Sequence, residues 1–235
     1  MRIAVDLHIH SALSPCAHED MTPNNIVNMA LIKGLDAIAV TDHNSCDNIR
    51  SVLAVAGDEL VILPGMELQS MEEVHMLCYF ADVTDLEDFE AFVVRSHLTD
   101  LKNNPQFFGR QLIMDESDEI TGEREEMLIS SLELSIEDVV MEVKKRGGVV
   151  VPAHIDRSSY SIISQLGFIP PEYDFNVLEI SQNGLQTYVR DDSDTVTYIS
   201  SSDAHCLEDI LERESFIYVE ERSASGILQS ISRSK

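Results

Sequence analysis

The chain has 235 residues, 44% of them hydrophobic and 25% charged, which is enough for one well-formed core and ordinary for a globular protein. Its 16 Lys and Arg stand against 42 Asp and Glu, a formal net charge of −26. That argues against broad binding of duplex nucleic acid but leaves an anionic substrate open, because bound divalent cations can invert the local sign. No run approaches the length of a membrane span, and the opening MRIAVDLHIH has no apolar leader, so a cytoplasmic protein that binds no membrane is expected.

Taken in order, residues 3–7 read as a strand. Thr22 and Pro23 supply an N-cap and a first helical position for a helix to about residue 33, which Gly34 ends. A strand follows over 37–41, a helix over about 46–56, and strands over 60–63 and 74–80. This alternation predicts a parallel sheet with crossover helices. Residues 82–134 break the rhythm. They are rich in Asp and Glu, with helical stretches around 89–92 and 107–108 and a polar hairpin tip at 115–122. We expect an insertion or lid over the barrel face, within a single domain 1–235; an acidic surface excursion is the alternative. Ser135 then caps a helix that Gly147-Gly148 ends, and a strand over 149–151 leads into Pro152-Ala153-His154. A helix over 158–166, strands over 177–180, 197–200 and 216–219, and a helix over 223–232 complete the chain. Seven or eight strands, each followed by helix or loop, suggest a (β/α) barrel with its chemistry at the C-terminal strand ends.

Six of the eight histidines fall in or just after predicted strands: His8, His10, His43, His75, His154 and His205. His18 lies in the first βα loop and His97 stands apart. Asp42, Glu67 and Asp203 share the strand ends. Residues i and i+2 of a strand point to one face, so His8 and His10 present two imidazoles side by side, as Asp203 and His205 present a carboxylate and an imidazole. Neutral imidazole with carboxylate suits Zn, Mn and Fe. The set exceeds what one tetrahedral ion takes, which points to a multinuclear site that Glu67 can bridge. An isolated H-x-H or T-D-H is more often structural, and a lone strand-end Glu is usually solvated; the ordered set carries the argument. Cys16, Cys46, Cys78 and Cys206 are widely spaced without a C-x-x-C pair, so reduced thiols are expected.

The segments DLHIHS, VTDHNS, PAHIDR and SSDAH, with the Glu of GMELQS and the His of EEVHMLCYF, resemble the ordered motifs of the PHP (polymerase and histidinol phosphatase) superfamily over roughly residues 3–80 and 148–206. The resemblance implies a distorted (β/α)7 TIM-like barrel of α/β class, holding two or three divalent ions (Mn, Fe or Zn) on its C-terminal face. It implies metal binding by His8, His10, His43, Glu67, His75, His154, Asp203 and His205. Where many members have S-D-G with an Asp ligand, this chain reads SPCAHEDMTP. Asp20 is taken as that ligand, with His18 a close rival and Glu19 a further choice; the structural alternative for Asp20 is a loop carboxylate at a helix N-terminus.

Arg157 lies three residues past His154, and its planar fork suits a phosphate oxygen. It is expected to bind substrate and neutralise charge during catalysis, or else to pair with Asp156 or a surface acid. Asp42 is expected to serve catalysis by orienting a ligand imidazole as an acceptor. The implied activity is metal-assisted hydrolysis of a phosphate ester of a small molecule or nucleotide, for example a nucleoside bisphosphate. An exonuclease on short single-stranded RNA or DNA and a non-catalytic metal-binding regulatory module are the alternatives. No stripe of aromatic and basic residues for base stacking is visible along the chain.

Overall fold

The computed structural model describes residues 1–186 and 196–232. Strand β1 (Arg2–Ile9) is buried beyond Arg2, as its nearly continuous apolar run requires of a strand covered on both faces. Helix α1 (Pro23–Ile32) begins where Thr22 Oγ1 accepts from Asn25 N and Pro23 takes the first helical position. Strand β2 (Ala37–Val40) pairs parallel with β1. Helix α2 (Ile49–Ala56) starts three residues later than expected. The Asn48 side chain does not cap it; its amide donates to Ser11 Oγ and Leu112 O and its oxygen accepts from Met114 N. Strand β3 (Val61–Ile62) pairs parallel with β2.

The parallel pattern then stops. Strands β4 (Gly65–Gln69) and β5 (His75–Tyr79) form an antiparallel hairpin. A tight turn joins them, with Ser70 N donating to Val74 O and Glu73 N to Ser70 O. Parallel partners need a crossover of a dozen or more residues, so this short connection permits only the hairpin, and the all-parallel expectation fails here.

Helix α3 (Val83–Phe89) runs through a π-helical turn (Glu90–Val94) into the short α4 (Arg95–His97). Helix α5 (Pro105–Phe108) follows, then the hairpin of β6 (Leu112–Met114) and β7 (Ile120–Glu123). Helix α6 (Ile136–Lys145) is capped by Ser135 and leads to β8 (Val149–Pro152), antiparallel to β5. Helix α7 (Ile162–Leu166) is shorter than expected because Ser161 is its cap. Strands β9 (Val177–Glu179) and β10 (Thr197–Ile199) pair parallel; β11 (Phe216–Tyr218) pairs antiparallel with β1, and α8 (Ala224–Ser232) follows.

The strands form a four-stranded sheet β11-β1-β2-β3, a three-stranded sheet β4-β5-β8, and the pair β9-β10. Single bridges, His43 to Glu67 and Ile9 to Ala204, tie the sheets at one end. The arrangement is barrel-like, but among the described residues the hydrogen-bonded ring is not closed. Two cores result. Ile3, Val5, Leu7, Ala39, Leu77 and Val151 pack inside, and Ala4, Ile38, Val40, Met76 and Val150 pack outward under the helices. Ile9 belongs to the outer core although it shares parity with Leu7, because the register of β1 shifts between Asp6 and Ile9. Such irregularities re-aim side chains next to sites, and this one sends His8 and His10, on either side of Ile9, to the inner mouth. Among the described residues no helix is long and apolar enough to cross a membrane.

Candidate metal centre

Glu67 stands at the middle of the mouth, 1% exposed. Its Oε1 lies 3.3 Å from His8 Nε2, 2.9 Å from His75 Nδ1 and 3.3 Å from His154 Nε2. Its Oε2 lies 3.4 Å from His10 Nε2 and 3.1 Å from His43 Nδ1. Asp203 Oδ1 approaches the Nε2 atoms of His8 and His10 at 3.2 and 3.1 Å and His205 Nδ1 at 3.7 Å. Three groups have ligand atoms close enough together for one ion: His8, His10, Glu67 and Asp203; His43, Glu67 and His75; and His10, His43 and His205.

The donor set fits metal. His43 Nδ1 and Glu67 Oε1 are buried without a properly aimed hydrogen bond, though His43 Nδ1 lies 3.1 Å from Glu67 Oε2 and Glu67 Oε1 3.3 Å from His154 Nε2. Buried polar groups are nearly always satisfied. Groups that converge without aiming at one another are what coordination of a shared ion would leave.

The charges agree. Burial opposes protonation of His8, but Glu179, Asp203 and Glu67 outweigh it and hold its pKa well above the imidazole range. His10 is raised to about 9 against the same burial by hydrogen bonds to Asp203 and Glu67. Burial and the neighbouring His10 push His43 well down and His205 to about 4. Glu67 and Asp203 resist the effect of burial and stay well below the carboxylate range, Glu67 chiefly through His75 and Asp203 chiefly through His8. Binding a cation in place of protons is the natural exchange for such a cluster.

Three of the imidazoles are steered from behind. Both oxygens of Glu179 lie on His8 Nδ1, at 3.2 and 3.0 Å, and Oε2 also accepts from His154 N at 3.0 Å. His75 Nε2 meets Gln69 Oε1 at 3.2 Å, which leaves Nδ1 toward Glu67. His10 Nδ1 meets Ser14 Oγ at 3.0 Å, and Ser14 donates to Asp42 Oδ1 at 2.6 Å. Asp42 therefore touches no imidazole. It accepts from Ser11 N, Ser11 Oγ and Ser14 Oγ and reaches His10 only through Ser14, a correction to the direct contact expected. Glu179 was missed, although a carboxylate on an inward position of a buried strand is costly enough to signal a partner.

The loop that was to supply a further ligand turns away. Asp20 is 73% exposed and pairs with His18 at 3.3 Å, and Glu19 lies 4.0 Å from Arg110. The backbone of Asp20 is held by Asn25 Nδ2, so its carboxylate is kept at the surface, and neither His18, Glu19 nor Asp20 joins the cluster. Arg157 does reach the site, where Nη1 donates to Asp203 Oδ2. Backbone strain gathers here as well. Of seven non-glycine residues with positive φ among the described residues, His154 and Asp203 belong to the cluster and Asn44 and Tyr160 adjoin it.

Residues 82–134 are stitched into the same loops. Asn44 Nδ2 donates to Leu128 O and Ser130 O at 2.6 and 2.8 Å, and Gln69 Nε2 donates to Ser131 Oγ. Glu90, 3% exposed, receives Ser45, Cys46, Arg95 and Arg124.

Fold and cluster together define an α/β protein whose strand ends gather imidazoles and carboxylates around a common point. The PHP domain family model matches residues 6–148, and the chain belongs to that family. An uncharacterized protein of Methanocaldococcus jannaschii, MJ0043, is 26% identical over 165 residues, covering 70% of this chain but only 18% of that protein. The lesion-specific endonuclease EndoQ of Pyrococcus furiosus superposes with a TM-score of 0.72 at 20% identity over 98% of this chain and 56% of its own. A protein of Bifidobacterium adolescentis, provisionally described as a metal-dependent phosphoesterase, gives 0.55 at 19% identity over 98% and 96%. The chain thus spans under a fifth of the curated relative and little more than half of EndoQ.

Proposed function

We propose that this protein is a metal-dependent phosphoesterase that hydrolyses a phosphate ester of a small molecule or nucleotide. The observation that carries the reading is Glu67, ringed by five imidazoles with Asp203 alongside. His8, His10, Glu67 and Asp203 would hold one ion, His43, Glu67 and His75 a second, and His10, His43 and His205 would complete a third position, with His154 closing the ring beside Glu67. Mn, Fe and Zn all suit these donors. Bound divalent ions would polarise the phosphoryl oxygens and acidify the attacking water.

The chain's own groups do the rest. Glu179, Gln69 and Ser14 fix which ring nitrogen of His8, His75 and His10 faces the centre. Arg157, 42% exposed at the rim, offers its fork to the phosphoryl oxygens, where charge builds up in the transition state. Membership of the PHP domain family and the likeness to a provisionally described phosphoesterase support this reading.

A second reading, a nuclease, is favoured by the higher similarity to EndoQ, a neighbour also solved with a 27-mer duplex carrying an abasic lesion at its active site. The net charge of −26 disfavours a long nucleic-acid track.

The test is phosphate release, with Mn²⁺ and after chelation, from nucleotides, nucleoside 3′,5′-bisphosphates, histidinol phosphate and oligonucleotides. Metal-dependent release from monoesters supports the first reading, and cleavage rising with chain length or on lesion-bearing duplex supports the second. Silence from protein shown to hold its metals would leave a metal-binding regulatory module. His8→Ala and Asp203→Ala are expected to lower metal content and rate together by orders of magnitude; normal activity in either refutes the assignment.

A further inference from the structure

One exposed aromatic ring stands against the cluster. Tyr160 lies nearly parallel to the His75 imidazole, with centroids 4.9 Å apart and planes 16° off, and it is 44% exposed. One face therefore covers a candidate ligand while the residue as a whole stays partly open to solvent. Its φ is +55, a conformation that a bulky residue adopts only where the surroundings impose it. Tyr160 O accepts from His75 N at 2.8 Å, Ser161 Oγ donates to Arg157 O at 2.7 Å, and Arg157 N donates to His154 O at 2.9 Å. Ser161 in turn caps α7 through a reciprocal pair with Ser164. The loop from His154 to Ser161 is thus fastened at both ends and in the middle. It presents, three residues apart, a guanidinium on Asp203 and an outward aromatic face on His75.

We propose that Tyr160 is a stacking platform for the base of a nucleotide whose phosphate is held by Arg157 and the centre, so that the substrate class is nucleotides rather than base-free phosphate esters. This rests on the phosphoesterase reading for the phosphate end. A planar ring laid on the outer face would stand one stacking distance, about 4.5–7 Å between centroids, beyond Tyr160, and so within a nucleotide's span of the cluster. Stacking tolerates any base, because every base has a π-face. The sequence gives no sign of this pair, since one Arg and one Tyr make no stripe; the turn of the loop aims them at the same mouth.

The test measures binding by calorimetry to Mn²⁺-loaded protein, with adenosine 5′-monophosphate and ribose 5-phosphate as probes. The two share a phosphate and a sugar and differ in the base. Wild type is expected to bind the nucleotide about ten-fold tighter, in line with one stacked base. Tyr160→Ala should collapse that ratio and Tyr160→Phe should keep it. Where turnover is measurable, Tyr160→Ala should raise KM for the nucleotide more than it lowers kcat. Equal affinities in wild type, no binding of either probe, or a ratio that survives Tyr160→Ala overturns the proposal. The binding ratio needs no turnover, so an inert protein that still prefers the nucleotide through Tyr160 refutes hydrolysis and leaves the platform standing.

Discussion

Glu179 shows how a site depends on a residue that need not touch the metal. It sits 2% exposed and spends both oxygens on His8 Nδ1. Replacing it with Gln keeps the shape but removes the charge that holds the His8 tautomer. Glu179→Gln is expected to weaken metal affinity about 10–100-fold, with an unchanged far-UV spectrum; titration calorimetry decides it, and an unaltered affinity would show that His8 is oriented by its other neighbours. The protonation of His10 makes a second prediction. Its folded pKa is raised to about 9, against about 6.5 in an unfolded chain. The stability it contributes is therefore fully present below pH 6.5 and is lost as pH rises through 9, and His8 acts in the same sense. Metal-free protein should lose thermal stability between pH 6.5 and 9, while metal-loaded protein, in which those protons have been displaced, should not. Melting curves with and without chelator measure this; a flat or rising metal-free curve would contradict it.

At the scale of elements, the first strand, its helix and the histidines at strand ends were legible because periodicity, a Thr-Pro cap and i, i+2 spacing are local. The β4–β5 hairpin was not, since Gly65–Gln69, although Met66-Glu67-Leu68-Gln69 alternates, does not reveal its partner, and its pairing is set by a turn of a few residues. The exposure of Asp20 was not legible, because an acidic loop beside a motif looks the same in sequence whether it faces metal or solvent. The attachment of segment 82–134 was not legible, because it rests on contacts such as Asn44 to Leu128 and Glu90 to Arg124 that join distant residues. The Glu90 carboxylate is nearly buried, and Arg124 meets both it and Asp47. Breaking such a pair from one side leaves a buried charge, so Arg124→Ala is expected to lower stability by about 3 kcal/mol. Urea unfolding tests it, and a change within error would mean that Arg95 compensates fully.

At the scale of the whole molecule, metal and fold are linked. A ligand that binds only the folded chain stabilises it by about 2.7 kcal/mol at a hundred times its Kd. Chelation should therefore lower Tm by several degrees, and the shift should track metal concentration; a Tm indifferent to metal would separate the cluster from folding. The excess negative charge adds self-repulsion, which the inner cations would partly relieve.

The groups that meet at the mouth are far apart in sequence: His10 and Asp203, 3.1 Å apart, are separated by 193 positions. On a ribosome adding about 5–20 residues per second, His8 and His10 emerge roughly 10–40 s before Asp203 and His205. In that interval the nascent chain offers scattered imidazoles to whatever ion passes, without the geometry that tells one ion from another. The choice of metal is thus deferred until Asp203 and His205 have emerged, when the Ile9–Ala204 bridge can form and selection passes from affinity to shape.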